Sequence, residues 1–281
     1  MTKCGYVAIV GRPNAGKSTL TNALVGQKVA IVTSKAQTTR DNIIGVLSKG
    51  ETQFVFVDTP GIHPTKTALD KQMMKSVRSA LGGVDVVLYL VDGTKSLDSM
   101  EMEYLSTLVE KMPVVLAVSK TDLAKPNKVF PLLTTLSKIG AKDLINFSSL
   151  KNINLDLVLN TLEKYLPQQD FIFDKNVKSD KEQEFQITEI VREKLMQNLQ
   201  KEIPYGIKVE LIKYEERPRV IEIHTDIICL RKNHKSIIIG KGGGMLKTVG
   251  SLARVDIEHL LGKKVLLKLW VVTKEDWINK V

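Results

Sequence analysis

Cysteine is scarce in this chain, and its two cysteines, Cys4 and Cys229, lie far apart in the sequence. They match neither the spacing of a metal site nor that of a disulfide framework. Aromatic residues make up only 5% of the 281 residues, and the longest apolar runs fall far short of a membrane-spanning helix. These absences exclude a disulfide-stapled scaffold and a membrane-spanning protein. They indicate a reducing compartment, and we expect a cytoplasmic protein.

Positive charge is abundant and unevenly distributed. The formal net charge is +10. Residues 228–264 hold eight basic residues against two acidic ones, which leaves +6 in that window alone. A concentrated positive charge favours a polyanionic partner such as nucleic acid. With 43% apolar residues the chain can bury a substantial core, and its length favours two modest domains over one large domain.

The first part of the chain alternates between strand-like and helix-like segments. Apolar runs of strand length occur at 6–10, 43–47, 54–58, 86–92, 114–118 and 144–148. Helical periodicity lies between most of them, and a last helix is predicted from Leu155 to Leu166. This alternation predicts an α/β domain with a mostly parallel sheet. Only a short polar stretch separates the second and third runs, so they should form one antiparallel hairpin at an edge.

A change of pattern marks the predicted domain boundary. Residues 167–184 are polar and charged and show no clear period, which is typical of a linker. The following segments have the order helix, strand, strand, helix, helix, strand. We therefore predict one domain over residues 1–170 and a smaller α+β domain over residues 171–281.

The segment GRPNAGKST follows the first strand and opens a helix, as the pattern G-x-x-x-x-G-K-[ST] requires. Gly11 and Gly16 let the main chain curl so that successive N–H groups converge on phosphate oxygens. Lys17 is predicted to reach the β- and γ-phosphates, and Ser18 to offer its hydroxyl to Mg²⁺. The candidate phosphate-binding residues are Gly11, Arg12, Pro13, Asn14, Ala15, Gly16, Lys17, Ser18 and Thr19.

The segment FVFVDTPG ends a second strand of the same domain. Asp58 is predicted to hold the magnesium shell, and the N–H of Gly61 to meet a γ-phosphate. In the polar loop KAQTTRD, either Thr39 or Thr38 could complete that shell, and Thr39 is preferred. The predicted metal ligands are Ser18, Thr39 and Asp58. The candidate nucleotide-binding residues of this segment are Asp58, Thr59, Pro60, Gly61 and Ile62.

The run VVLAVSKTDL places Asp122 at the carboxyl end of a central strand, where open α/β sheets bind ligands. A carboxylate there can accept hydrogen bonds from both N1–H and N2–H₂ of guanine, and adenine lacks this donor pair. Lys120 can lie along the face of the base. The candidate base-binding residues are Ser119, Lys120, Asp122, Ser148, Ser149 and Leu150.

The order GRPNAGKS, TTR, DTPG, SKTD and SSL resembles the GTPases of the Era family. This resemblance implies binding of GTP and GDP with Mg²⁺, and hydrolysis of GTP. The base motif of the family begins with Asn, whereas this chain has Ser119, which loses an amide that would contact the base and tie the loops together. Ser149 replaces an alanine whose contact with guanine is made by its main-chain N–H, so this departure is harmless.

Few residues in the sequence are candidates for catalysing the hydrolysis step. Ile62 follows Gly61 where related enzymes carry a water-positioning glutamine nearby, and an aliphatic side chain cannot orient water. Arg12 and Arg40 are candidate arginine fingers by proximity alone, and a surface role is preferred for both. His63 is expected to be an exposed loop residue. Asn14 remains, because enzymes resembling this chain bind K⁺ beside such an asparagine.

The predicted catalytic set is Asn14, Lys17, Thr39 and Gly61. These are the residues that we expect to act on the γ-phosphate.

The second domain contains a G-x-x-G loop inside its basic window. Together with the order of elements, this loop resembles the KH domain that ends Era proteins. The resemblance implies binding of single-stranded RNA, specifically the 3′ end of 16S rRNA, and a role in assembling the 30S ribosomal subunit. It also implies weak association with the inner membrane surface, and we expect a monomer. The candidate RNA-binding residues are Lys235, Gly240, Lys241, Gly242, Gly243 and Lys247.

Two rival functions stay open at this point. A P-loop kinase would share the phosphate loop, although SKTD and the absence of a candidate acceptor-binding lid argue against it. A constitutive RNA-binding module with a degraded G domain would explain Ser119.

Overall fold

The computed structural model describes residues 1–65, 67–275 and 277. The chain divides into two compact units, and the main division falls between Asp180 and Lys181, inside the predicted linker. The first unit comprises Met1–Ala30, Thr39–Thr65 and Gln72–Asp180, and the second comprises Ile31–Thr38, Lys66–Lys71 and Lys181–Val281. Residue 66 of the first predicted domain, and residues 276 and 278–281 of the second, lie outside the described residues.

A six-stranded sheet forms the centre of the first unit, with the strand order β2-β3-β1-β4-β5-β6. Its strands are β1 (Lys3–Gly11), β2 (Ile43–Lys49), β3 (Thr52–Asp58), β4 (Val86–Asp92), β5 (Val114–Ser119) and β6 (Asp143–Asn146). Strand β2 runs antiparallel to β3, and the remaining neighbours pair in parallel. This arrangement confirms the predicted fold class, including the antiparallel edge strand.

Apolar side chains cover both faces of this sheet. Strand β1 shows why, because Val7 and Ile9 belong to one buried cluster while Ala8 and Val10 belong to another. Successive side chains of a strand point to opposite faces, so a continuous apolar run supplies two cores. The helices before, between and after the strands are α1 (Lys17–Val25), α2 (Ala68–Leu81), α3 (Ser99–Lys111), α4 (Pro126–Leu136) and α5 (Leu155–Glu163).

Helix α5 ends earlier than the predicted Leu166. The N–H groups of Lys164, Tyr165 and Leu166 each donate to a carbonyl three residues back. Such bonds tighten the last turn and satisfy carbonyls at the end of a helix. The apolar period therefore continues beyond the α-helical hydrogen bonds.

The stretch predicted as a linker is held against the first unit by main-chain and side-chain hydrogen bonds. The fully buried Gln53 accepts hydrogen bonds through Oε1 from the N–H groups of Ile172 and Phe173, both at 2.9 Å, and donates through Nε2 to Phe173 O at 2.7 Å. The N–H of Val46 donates to Lys178 O at 2.9 Å. This stretch is therefore attached to the edge of the sheet, although its sequence has no period.

The second unit is built on a three-stranded sheet with the order β7-β8-β9. Its elements are α6 (Gln183–Asn198), β7 (Ile207–Glu216), β8 (Ile221–Cys229), α7 (Lys232–Ile239), α8 (Gly244–Leu261) and β9 (Val265–Thr273). Strand β7 is antiparallel to β8, and β9 is parallel to it. The predicted order of elements is confirmed. Within the described part of the chain, no helix is long and apolar enough to cross a membrane.

Candidate functional site

The phosphate loop is a tight curl of main chain between β1 and α1. Gly11 and Gly16 adopt φ values of +150° and +94°, and a Cβ atom on Gly11 would lie 2.5 Å from the carbonyl oxygen of Leu90. Lys17 spans the curl, because its Nζ donates to Gly11 O at 3.0 Å and to Arg12 O at 2.9 Å. The loop therefore needs glycine at its start, and the lysine side chain lies across the curl.

Two buried groups of opposite charge lie at the base of this loop. Lys17 is 6% exposed and Asp58 is fully buried. Burial lowers the pKa of Lys17 to about 8, although the Asp58 carboxylate opposes this effect. Burial likewise raises the pKa of Asp58 to about 6 against the hydrogen bond from Ser18 and the charge of Lys17. Burial thus disfavours the charged form of both side chains. Such perturbed pKa values are common at functional sites.

Three oxygen-bearing side chains converge beside Lys17. Ser18 Oγ donates to Asp58 Oδ2 at 2.6 Å and lies 2.9 Å from Thr39 Oγ1. The second carboxylate oxygen, Asp58 Oδ1, is buried and has no hydrogen-bond partner within residues 1–65, 67–275 and 277. Hydroxyl and carboxylate oxygens are the donors that Mg²⁺ prefers. The residues predicted as metal ligands are therefore brought together, and their chemistry fits that ion.

The neighbouring threonine lies elsewhere. Thr38 Oγ1 is 2.6 Å from Thr33 Oγ1 and donates to Lys35 O at 2.8 Å. Of the two alternatives, Thr39 and not Thr38 lies beside Ser18 and Asp58, and its role as a metal ligand stays a prediction.

The DTPG segment packs directly against the phosphate loop. A Cβ atom on Gly61 would lie 2.7 Å from the main-chain N and Cα of Pro13, so no larger residue fits there. The N–H of Ile62 donates to Gly11 O at 3.1 Å, and Thr59 Oγ1 donates to Ile9 O at 2.9 Å. The DTPG segment therefore lies against the phosphate loop, and contact between the N–H of Gly61 and a γ-phosphate stays a prediction.

A cavity of about 140 Å³ joins the phosphate loop to the predicted base motifs. It is lined by Gly16, Thr19, Ser119, Lys120, Asp122, Leu123, Ser148, Ser149 and Leu150. Residues separated by more than a hundred positions therefore lie around one space. Leu123 was not predicted, and its place directly after Asp122 is the signal that could have identified it.

Lys120 lines this cavity, and its side chain is fixed by two hydrogen bonds. It adopts φ +57°, and its Nζ donates to the main-chain oxygen of Asn14 and to Asp92 Oδ2, the latter at 2.8 Å. Although burial alone raises the pKa of Asp92, hydrogen bonds from Lys120 and Thr94 outweigh that effect and lower it. The lysine stem is thus fixed between the phosphate loop and the end of β4.

Ser119 differs from its expectation in one respect. Its hydroxyl, on a residue 2% exposed, lies 2.7 Å from Ala15 O and 3.2 Å from Val91 O, and both oxygens are acceptors. The tie between the base motif and the phosphate loop is therefore present despite the shorter side chain. Loss of a contact with the base stays a prediction.

Arg12 is directed away from the phosphate position and toward α3. Its guanidinium lies 2.7 Å from Asp98 Oδ2 and 3.4 Å from Glu101 Oε2. Burial raises the pKa of Glu101, and the charge of Arg12 opposes that rise. The candidate role of Arg12 as an arginine finger is therefore not supported by this geometry. His63 Nδ1 lies 2.7 Å from Gly61 O, which places its ring on the loop next to DTPG.

The G-x-x-G loop separates α7 from α8 in the second unit. Gly240, Gly242 and Gly243 all have positive φ, at +76°, +57° and +77°. A Cβ atom on Gly240 would lie 2.7 Å from Met245 Cβ, so this glycine is required both for conformation and for space. Lys241 is exposed at the tip of the loop. The loop can therefore bring main chain and a cation close to a nucleic-acid backbone.

A shallow groove of about 330 Å³ lies beside this loop. It is lined by Gly243, Leu246, Lys247, Gly250, Ser251, Arg254, Leu267 and Leu269. Most of these residues were not predicted. Spacing of three or four along α8 could have identified its members, whereas the leucines of β9 come from a different element. Lys235, Lys241 and Lys247 are exposed and form no salt bridge in the part of the chain that the structure describes.

These features define a class, namely a P-loop GTPase domain joined to a KH-type domain. A family model described as a 50S ribosome-binding GTPase matches residues 6–120, and a KH domain model matches residues 202–278. "GTPase Era" of Ruminiclostridium cellulolyticum is 40% identical over 99% of this chain and 94% of its own length. "GTPase Era" of Alkaliphilus metalliredigens is 42% identical over 99% and 96%. The chain belongs to the Era family of GTPases.

Solved structures agree with this assignment. Era from Aquifex aeolicus, as a variant bound to GDP and AlF4⁻, has a TM-score of 0.95 and 36% identity over 99% of this chain and 96% of that chain. Era in complex with MgGDPNP and nucleotides 1506–1542 of 16S ribosomal RNA also has a TM-score of 0.95 and 36% identity, over 100% and 96%.

The raised pKa of Asp58 predicts how this site affects stability. Its folded-state pKa of about 6 lies above the ordinary 3.8. Without ligands, ionisation therefore disfavours the folded state, and stability is lost as pH rises from about 4 to about 6, by on the order of 3 kcal/mol. Asp58→Asn should stabilise the ligand-free protein above pH 6 and have little effect near pH 4. Thermal unfolding in EDTA at both pH values measures this difference. Equal effects of the substitution at the two pH values would contradict the assignment.

Proposed function

We propose that this chain binds GTP, hydrolyses it to GDP and phosphate, and couples the nucleotide to binding of single-stranded RNA. The observation that carries the first part is the cavity shared by the phosphate loop and Asp122. One nucleotide spanning these residues would place its phosphates on the curl and its base on the carboxylate. A kinase would need no such base-selecting carboxylate, and a degraded G domain would not keep Ser18 in contact with Asp58 beside a buried Lys17.

The geometry at the phosphate end supports the roles that we propose for its residues. Lys17 and the main-chain N–H groups of the loop would bind the β- and γ-phosphates, and Gly61 would offer its N–H to the γ-phosphate. Ser18, Thr39 and Asp58 would hold Mg²⁺, which supplies positive charge between the phosphate oxygens. Charge that develops during phosphoryl transfer would thus meet fixed cations and donors.

Base selection by Asp122 gives the first test of this proposal. In nucleotide competition, GTP should bind at least tenfold more tightly than ATP, because an unmatched buried polar group costs about 1–3 kcal/mol. Asp122→Asn should weaken GTP and favour XTP, because an amide can donate to the C2 carbonyl of xanthine. Equal affinities for GTP and ATP in the unsubstituted protein would refute the guanine site.

Conversion of radiolabelled GTP to GDP and free phosphate, without transfer to an acceptor, distinguishes hydrolysis from kinase activity.

Hydrolysis should be slow without a further cation or partner. Ile62 follows Gly61 and its side chain has no polar atom to position water, and the guanidinium of Arg12 is paired with Asp98 and Glu101. Asn14 is the loop residue to which we assign a K⁺ ion, which would neutralise charge between the phosphates as an arginine would. Its φ of +64° shows that the main chain is turned sharply at this point.

The proposed K⁺ site predicts that the rate of GTP hydrolysis depends on which monovalent cation is present. At equal ionic strength, GTP turnover in KCl should exceed turnover in NaCl severalfold, and Asn14→Ala should remove most of that difference. Single-turnover phosphate release measures it. Equal rates in the two salts for the unsubstituted protein would eliminate K⁺ as a cofactor.

In this proposal, the segment before Thr39 couples the state of the bound nucleotide to the affinity for RNA. Residues 31–38 belong to the second compact unit. Glu193 Oε1 of α6 accepts from Val32 N–H at 2.9 Å, and the guanidinium of Arg192 donates to Thr38 O. Both charged residues are about 97% buried. Because Thr38 adjoins Thr39, loss of the γ-phosphate would disturb a segment that α6 holds, and RNA affinity would change by population shift.

The RNA ligand follows from the second unit. The G-x-x-G loop, the exposed lysines and the partly apolar groove fit a single strand with its backbone on the glycines and its bases on the leucines. The Era complex with nucleotides 1506–1542 of 16S ribosomal RNA supports the 3′ end of that RNA as the target. We assign the chain a role in 30S subunit assembly. We also infer a cytoplasmic monomer, with weak membrane-surface association through the basic second unit.

The G-x-x-G loop is tested by reversing its charge. Lys241→Asp combined with Gly242→Asp should lower RNA affinity at least a hundredfold by repelling the backbone, and should leave GTP affinity unchanged. Lys138→Asp combined with Gly83→Asp is the control, because it makes the same charge change at exposed positions of the first unit. Binding of a single-stranded 16S 3′-end oligonucleotide is measured at fixed salt. RNA affinity that stays within twofold in the loop variant would refute the assignment.

A further inference from the structure

One lysine of α6 lies between two carboxylates of the second unit. Lys194 Nζ is 3.1 Å from Oε2 of Glu193, its neighbour on α6, and 2.6 Å from Oδ2 of Asp256 on α8. The Lys194 side chain is 13% exposed. Although burial alone lowers the pKa of Lys194, its interactions with the two carboxylates outweigh that effect and raise the pKa. A single charged ammonium is therefore shared by acids of two helices.

The first of these acids binds the segment that precedes Thr39. Glu193 is 2% exposed, and its Oε1 accepts from the N–H of Val32 at 2.9 Å. One turn later on α6, Gln197 Nε2 donates to Val32 O at 3.3 Å. A buried carboxylate that loses a hydrogen bond is costly. Withdrawal of Val32 would therefore strengthen the attraction of Glu193 for the Lys194 ammonium.

The second acid belongs to the helix that lines the groove beside the G-x-x-G loop. Helix α8 begins at Gly244, and its residues Lys247 and Arg254 line that groove. Asp256 lies two positions after Arg254, which is a rise of about 3 Å along a helix axis. A carboxylate so close to the groove opposes the binding of a phosphate backbone. Lys194 offsets this charge for as long as it pairs with Asp256.

We propose that Lys194 couples the state of the nucleotide to RNA affinity by dividing its ammonium between Glu193 and Asp256. The proposal rests on the proposed nucleotide-dependent binding of RNA and names the residue responsible for it. While α6 holds residues 31–38, Lys194 offsets Asp256 and the groove binds RNA tightly. When loss of the γ-phosphate releases that segment, Glu193 attracts the ammonium, Asp256 is offset less, and RNA affinity falls.

The test measures the dissociation constant for a single-stranded 16S 3′-end oligonucleotide at fixed salt, with the full chain bound to Mg²⁺ and either GDP or the non-hydrolysable GDPNP. In the unsubstituted chain, RNA should bind at least about fivefold more tightly in the GDPNP state, which is the lower end of usual coupling. In Lys194→Met, affinity should be low in both states. In Asp256→Asn, affinity should be high in both states. Each substitution should bring the ratio of the two constants within about twofold of one, because it removes one partner of the shared ion pair.

Two further variants separate coupling from a general effect of charge. Lys194→Arg should keep the ratio, because a guanidinium can bind both carboxylates. Lys208→Met is the matched control, since Lys208 Nζ lies 3.0 Å from Glu210 Oε1 on β7 and the substitution likewise removes a lysine from a carboxylate of the second unit. The ratio in this control should equal that of the unsubstituted chain.

The outcomes distinguish this proposal from the proposed function. A ratio of fivefold or more that persists in Lys194→Met or in Asp256→Asn would overturn the role of Lys194 and leave nucleotide-dependent RNA binding intact. A ratio near one in the unsubstituted chain would overturn both the role of Lys194 and the coupling itself, whereas separate binding of GTP and of RNA would still stand. If Lys194→Met does not fold, Asp256→Asn decides.

Discussion

The close approach of main chain to main chain around Gly11 and Gly61 is the constraint on which the nucleotide site depends. At Gly11 an added Cβ would meet Leu90 O at 2.5 Å, and at Gly61 it would meet Pro13 at 2.7 Å. Because an added Cβ would collide at both positions, glycine is what allows the two loops and the end of β4 to pack this closely. Lys17 and Asp58 are buried as a result, and their altered pKa values follow from that burial.

Much of the fold could be predicted because apolar runs and periodicity report burial directly. The run at 86–92 corresponds to β4 without a change of boundary, and the helix from Leu155 differs only in its last turn. The stretch 167–180 could not be read in this way. Its attachment depends on Gln53, whose side chain satisfies main-chain groups more than a hundred positions away. No local pattern records such a bond. The same holds for residues 31–38, whose place with α6 comes from tertiary hydrogen bonds.

In the candidate site, too, some features could be predicted from the sequence and others could not. Motif residues such as Ser18, Asp58 and Asp122 were predicted because a fixed spacing carries their chemistry. The structure brings Ser18 into contact with Asp58 and places Asp122 on a cavity that the phosphate loop also lines. The sequence did not show which hydrogen-bond or ion-pair partner each side chain has. Ser119 takes over the tie of an amide by reaching Ala15, and Arg12 turns to Asp98. Both choices depend on atoms supplied by other elements, as do the leucines of β9 beside α8.

The contacts of Gln53 also determine where the chain could be shortened. A fragment ending at residue 170 would keep every strand of the large sheet, yet it would leave a fully buried amide without Ile172 and Phe173. Water cannot easily replace those partners in the interior. A fragment ending at residue 180 retains them together with Lys178, which pairs with Val46 at the sheet edge. A fragment that keeps the hydrogen-bond partners of Gln53 therefore extends through a stretch that looks dispensable in the sequence.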